Sequence, residues 1–182
     1  MATFRSPGDT SSSLSKPQKL LATVCTGPIV SKIFEALGPK ADLHLVGGTV
    51  RDIFENKNPK DIDLATVLNP QEVCNLLDKN KIHWIPTGIE HGTILAVVDD
   101  QHVEITTFRI PGPRVQETKE NAYSTSIDTD LAGRDFTINA IAFSLNDEKI
   151  IDPYDGLLDI KAKIIRGVAD PLIRFKEDPL RL

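Results

Sequence analysis

The sequence predicts an α/β (α+β) domain, a mixed sheet flanked by helices. Three observations carry that prediction. Segments of strand-like alternation interleave with segments of helical apolar spacing, glycine and proline punctuate the junctions, and 40% of the 182 residues are apolar, enough for a real core.

The elements follow in order. Ile29–Leu37 spaces its apolar residues as a helix does and stops at Gly38-Pro39. Asp42–Val46 reads as a strand that runs into Gly47-Gly48 and a helix over Thr49–Glu55. Asn56–Pro59 is a turn, and Lys60–Thr66 alternates polar and apolar residues as a half-buried strand does. Asn69 precedes Pro70 as an N-cap precedes the first helical turn, which predicts a helix over Pro70–Lys79. Gly92–Val98 and His102–Phe108 are strands joined by Asp99-Asp100-Gln101. Arg109–Asp130 carries Pro111, Gly112 and Pro113 and then a polar stretch, so it reads as a long mobile loop. Arg134–Ala140 is expected as a short helix, Ile141–Leu145 with Lys149–Ile151 as a second hairpin, and Gly156–Ala162 and Pro171–Lys176 as helices.

Composition narrows the function. Cys25 and Cys74 have no CxxC spacing, which argues against a disulfide framework or zinc site and fits a reducing, cytoplasmic setting. The apolar runs are too short for a membrane span. The Ser/Thr-rich start lacks the apolar stretch of a secretion signal and reads as a flexible leader. A net charge of −5 is unlike that of a typical nucleic-acid binder, unless acidic residues gather around metal ions and RNA is held elsewhere.

Candidate chemistry begins with Asp61 and Asp63. Alternation along a strand puts both carboxylates on one face, with Ile62 and Leu64 on the other. Paired carboxylates suit a hard cation such as Mg²⁺, and Glu104, between Val103 and Ile105 on another strand, supplies a third. Three such groups can hold two ions for phosphoryl chemistry. Alone, a DxD is a weak signal: Asp128-Thr129-Asp130 matches it too and reads as solvated loop. Gly47-Gly48, at a strand-to-helix junction, lets backbone N–H groups approach a phosphate or simply makes a tight turn. Arg51 and Asp52 lie one turn further on, Arg51 within reach of a triphosphate. His91 reads as a turn residue or a neighbour of substrate, and Trp84 as core or sheet edge.

Five motifs in order turn these fragments into a resemblance. Leu45-Val-Gly-Gly-Thr-Val-Arg-Asp52 with Lys60-Asp-Ile-Asp-Leu64, Val103-Glu-Ile-Thr-Thr-Phe-Arg109, Arg134-Asp-Phe-Thr-Ile-Asn-Ala140, Ile151-Asp-Pro-Tyr-Asp-Gly156 with Asp159 and Lys161, and Glu177-Asp-Pro-Leu-Arg181 resemble the motifs of the class II tRNA nucleotidyltransferases and bacterial poly(A) polymerases, within the DNA polymerase β superfamily. The resemblance runs from about Leu43 to the end. It implies a polymerase β-like nucleotidyltransferase head over residues 27–168, after a flexible leader over 1–26 and before the start of a helical neck over 169–182. It implies Mg²⁺ on Asp61, Asp63 and Glu104, which would be catalytic, and nucleotide contacts from Gly47, Gly48, Arg51, Asp52, Arg134, Asp135, Asn139, Asp178 and Arg181. Arg134 and Asp135 would meet the ribose. Asn139 would face substrate or serve as a local backbone partner. Asp178 and Arg181, three apart on one helix face, would read the base.

The activity so implied is transfer of CMP and AMP from CTP and ATP to the 3′ end of tRNA, with pyrophosphate released. Poly(A), CC- or A-adding enzymes share the motifs, but Glu90–Ala96 is closer to the tRNA branch. A catalytically silent nucleotide- or RNA-binding module is disfavoured because all three carboxylates are kept. A DxD glycosyltransferase would leave two motifs unexplained. The sequence departs from the family at Gly133, where many relatives carry a second arginine. No protein partner is inferable.

Overall fold

The structure is a computed structural model that describes residues 14–86, 88–111 and 123–170. Among them the alternating segments form seven strands: β1 (His44–Val46), β2 (Ile62–Thr66), β3 (His83–Ile85), β4 (Thr93–Val98), β5 (Gln101–Thr107), β6 (Ala142–Ser144) and β7 (Lys149–Ile151). The strands make one sheet in the order β3-β4-β5-β2-β1-β6-β7. β2 and β5 run parallel and the other neighbours antiparallel, so the sheet is mixed. The helices are α1 (Lys16–Thr26), α2 (Pro28–Leu37), α3 (Gly47–Phe54), α4 (Pro70–Lys79), α5 (Ile127–Ala132) and α6 (Gly156–Ala162).

Local chemistry sets the boundaries. Pro28 opens α2, where a missing N–H loses no helical bond, and Gly38 ends it at φ 74. Asn69 and Glu72 cap α4 reciprocally: the Asn69 side chain accepts from the Glu72 N–H at 3.0 Å, and the Glu72 carboxylate accepts from the Asn69 N–H at 2.9 Å. Asp99 and Asp100, at φ 50 and 60, form a two-residue turn, and Gln101 already pairs with Val98. The hairpin loop is therefore one residue shorter than the sequence suggests.

Side-chain alternation divides the apolar residues between the two faces of the sheet. Leu45, Leu64, Ile94, Val103 and Ile105 pack with Leu21, Ile33, Val50, Ile53 and Leu77 of α1–α4 in the larger core. Val46, Ala65, Phe108 and Ala142 pack with Ile127 and Leu131 of α5 in a smaller one. Because Leu64 faces the large core, Asp63 shares the face of Ala65, toward α5.

Three expectations need correction. Residues 16–26 were assigned to a flexible leader but form α1, whose Leu21 is fully buried; an aliphatic side chain gains roughly 1.5–3 kcal/mol from such burial. Arg109–Asp130 is not loop throughout, since α5 begins at Ile127, with Ile127 and Leu131 anchoring it in the smaller core. Its expected mobility concerns mainly residues 112–122, which lie outside the described residues, as do residues 171–182 with the expected helix Pro171–Lys176 and most of the neck. Arg134–Ala140 holds only a 3₁₀ turn, Thr137–Asn139, because the Thr137 N–H bonds to the Arg166 carbonyl (2.9 Å) instead of continuing a helix. Trp84 lies on edge strand β3, where its indole N–H donates to Asp78 at 2.8 Å. No single helix among the described residues is long and apolar enough to cross a membrane.

Candidate active site

The site is built around the junction of β1 and α3. Gly47 has φ +59, a left-handed conformation that glycine alone takes freely. A β-carbon there would stand 2.9 Å from Arg134 Nη1 and 3.6 Å from Asp63 Oδ2. On Gly48 it would stand 3.4 Å from Asp63 Oδ2 and 3.6 Å from Arg51 Nη2. The bare glycine turn thus lets one carboxylate and two guanidinium groups close over the start of α3.

Thr49, buried in the next position, ties this turn to β2. Its hydroxyl donates to the Asp61 carbonyl at 3.1 Å and accepts from the Asp63 N–H at 2.7 Å. The hydroxyl therefore fixes the backbone on both sides of Ile62. Thr49 stands in the middle of the first motif, and its place between Gly48 and Arg51 was the only signal that could have singled it out.

Asp63 pairs in register with Glu104 across the parallel β2–β5 ladder, so the two side chains stand side by side on one face. Burial pushes the Asp63 carboxyl above its ordinary range, and the charges of Glu104 and Asp61 push the same way. Arg134 and the Thr49 backbone pull against them. Glu104 is exposed between buried Val103 and Ile105, as expected, and its Oε1 is 3.5 Å from the Thr106 hydroxyl. Thr106 in turn meets Thr93 at 3.1 Å.

The carboxylate trio departs from expectation in one respect. β2 begins at Ile62, so Asp61 lies in the bend before the strand, exposed and outside its alternation. Among the described residues no three carboxylate, imidazole or thiol groups converge enough to hold one ion. The donor chemistry still fits a hard cation: the groups are carboxylates, and burial and then the charges of Glu104 and Asp61 raise the Asp63 carboxyl, a cost that a bound cation would offset.

The 134–139 segment closes the site from the other side. Arg51 donates to Asp52 through Nε (3.2 Å) and Nη2 (2.9 Å), and to Asn139 Oδ1 through Nη1 at 2.8 Å. Asn139 Nδ2 donates to Asp135 Oδ1 at 3.0 Å, and the same oxygen accepts from the Phe136 N–H at 2.7 Å. The Asn139 side chain thus bonds to Arg51 and Asp135 and not to local backbone, bridging α3 to Asp135. Arg134 pairs with Asp130, not with Asp135 beside it. Asp130, in a stretch that reads as solvated loop, is 3% exposed, because α5 carries it inward to Arg134. The four-residue spacing from Asp130 to Arg134 was the legible signal. A β-carbon on Gly133 would come 3.3 Å from the Asp130 carbonyl and 3.4 Å from Pro111, a tight fit for any side chain. His91 is an exposed turn residue. Asp178 and Arg181 lie outside the described residues.

Residues 43–166 match the model of the poly A polymerase head domain. The chain belongs to that family. Its similarity to named members is substantial: it is 41% identical over 143 residues to the CCA-adding enzyme of Pediococcus pentosaceus, covering 78% of this chain and 35% of that protein. It is 42% identical over 141 residues to the CCA-adding enzyme of Bacillus pumilus, covering 76% of this chain and 34% of that protein. Among solved structures, the CCA-adding enzyme of Bacillus stearothermophilus in complex with CTP superposes with a TM-score of 0.69 at 32% identity, over 92% of this chain and 38% of the other. A tRNA nucleotidyltransferase with a primer tRNA and an incoming ATP analogue superposes with a TM-score of 0.59 at 34% identity, over 76% and 38%. The polymerase β-like head expected from the motifs is the fold these relatives share. The chain spans little more than a third of their length.

Proposed function

We propose that this chain is the catalytic head of a tRNA nucleotidyltransferase that adds CMP and AMP, from CTP and ATP, to the tRNA 3′ end. One observation carries the reading: Asp63, in register with Glu104, lies against the Gly47-Gly48 turn together with Arg134 and Arg51. A carboxylate face beside backbone donors and two guanidinium groups is what metal-assisted transfer to a triphosphate requires. The solved relatives, a CCA-adding enzyme with CTP and a tRNA nucleotidyltransferase with a primer tRNA and an ATP analogue, favour tRNA over other RNA.

Asp63, with Asp61 and Glu104, would hold Mg²⁺, which when bound supplies a Lewis acid at the reacting phosphate. The Gly47-Gly48 backbone and the start of α3 favour the triphosphate's negative charge. Arg134 gives that charge a cation beside the turn. Asp135, held by Asn139, offers an acceptor to ribose hydroxyls. The 3′-hydroxyl of tRNA gives its proton to a water of the open cleft, its oxygen bonds to the α-phosphorus, the bond from that phosphorus to the bridging α–β oxygen breaks, and pyrophosphate leaves. Asp178 and Arg181 would select adenine and cytosine through the amino group both bases carry. The setting is a reducing cytoplasm, in which Cys25 and Cys74 stay free thiols.

The test is extension of tRNA lacking its CCA end by the full-length protein with CTP, ATP and Mg²⁺. Products longer by three nucleotides support the reading. Products of two or one nucleotide indicate a CC- or A-adding enzyme, and long adenylate tails a poly(A) polymerase. Nucleotide binding without any extension indicates a silent module.

A further inference from the structure

Asp130 belongs to none of the five motifs in order, yet it is among the most buried charged residues described, with its side chain 2% exposed. Each of its oxygens serves a different element. Oδ1 accepts the backbone N–H of Arg109, just past β5, at 3.0 Å. Oδ2 accepts from Arg134 Nε at 3.2 Å and Nη2 at 2.9 Å. A guanidinium has five N–H groups in a rigid plane, so engaging the Nε/Nη2 edge fixes where the rest point. What remains is Nη1, and it is the atom that would lie 2.9 Å from a β-carbon on Gly47.

We infer that Asp130 is a positioning residue for nucleotide binding: it clamps one edge of Arg134 so that Nη1 is presented at the Gly47 turn beside Asp63. The inference rests on the functional reading above, and it adds the group that orients the arginine. The clamp has two chemical consequences. A buried carboxylate offsets the cost of holding a guanidinium only 16% exposed, and it removes the freedom the side chain would otherwise lose on binding. The Arg109 contact also locks α5 to the end of β5, the strand of Glu104, so both sides of the site share one anchor.

The experiment measures Kd for CTP and for ATP, with Mg²⁺, in the full-length protein. Asp130→Asn keeps an oxygen for the Arg109 N–H and removes the charged acceptor facing Arg134. It should weaken both nucleotides by about ten- to a hundredfold, the usual range for a charged hydrogen bond. Arg134→Ala should weaken them at least as much, and the Asp130→Asn/Arg134→Ala double variant should be no worse than Arg134→Ala alone. A purely structural Asp130 would instead give losses that multiply, or a lower Tm with unchanged Kd; either result overturns the inference. Should Asp130→Asn not fold, Arg134→Lys decides the matter. It keeps the charge but not the fork, so binding as weak as in Arg134→Ala supports the clamp and wild-type binding overturns it. Wild-type protein that binds neither nucleotide overturns the functional reading and this inference together.

Discussion

Asp63 concentrates the conflicts of the site in one side chain. It is half-buried, it stands beside Glu104, and burial together with like charge holds its carboxyl above the ordinary range. Such a group costs stability when ionised, so its presence needs a reason other than folding. Asp63→Ala should therefore leave the Tm of metal-free protein unchanged or higher while lowering transfer more than about a hundredfold, the scale of a lost metal ligand. Near-normal turnover by that variant would remove the residue from the chemistry. At this scale the sequence was legible where a residue type is rare in its pattern: Asp63 and Glu104 interrupt apolar strands. Asp130 is marked in the sequence only by its four-residue spacing to Arg134, because burial of a loop-like aspartate depends on α5 folding. Thr49 was opaque because a threonine in a helix start is chemically ordinary until a strand from elsewhere docks on its hydroxyl.

At the scale of elements, the Gly47 turn and the α6 anchor make separate predictions. Gly47→Ala forces a side chain into the left-handed region, at a cost of roughly 1–2 kcal/mol, and drives its β-carbon against Arg134 Nη1. The expected outcome is a fall in Tm of a few degrees, with a rise in KM for ATP and CTP that the stability loss does not explain. Thermal melts and initial rates on the same preparation check it. At the other end of the site, Asp159 of α6 accepts from Thr137 at 2.7 Å and from Arg166 at 3.0 and 3.1 Å, holding the Thr137–Asn139 turn in place. The Arg166 bonds, and then the Thr137 hydroxyl, hold its carboxyl below the ordinary range. A lowered native value means stability that is present above the unfolded-state value, about 3.9, and is lost as pH falls through the native one. Asp159→Asn should lower the Tm at pH 7, and the difference from wild type should shrink in melts taken below about pH 4. A difference independent of pH would show that the ion pair is not its source. Element positions were the most legible part of the sequence, since caps and alternation are local: α4 and its Asn69 cap were read to the residue. The failures were α1, which lies in a stretch that reads as leader, β3 and α5, short elements whose stability comes from packing on the sheet, and the Arg134–Ala140 helix, which a tertiary bond to Arg166 cut to a single turn.

For the whole molecule, the mixed sheet places the carboxylate face between two arginine-bearing segments that are more than 80 residues apart in sequence, α3 and 134–139, joined by the Arg51–Asn139 bond. That convergence was not visible in any one motif; their order along the chain implied it. The proposed base readers, Asp178 and Arg181, belong to this scale as well, because they are far in sequence from the carboxylates proposed to hold metal. Changing either to alanine should relax discrimination against UTP and GTP by about ten- to a hundredfold in kcat/KM, with a fixed tRNA primer, whereas a metal-face variant should depress all four nucleotides together. The measurement that bears most directly on the central claim is the mass of tRNA that begins at its discriminator base, after incubation with full-length protein, Mg²⁺ and all four ribonucleotides. Addition of two cytidylates and one adenylate, then arrest, is the predicted result; incorporation of uridylate or guanylate, unbounded adenylation, or no growth at all would contradict it.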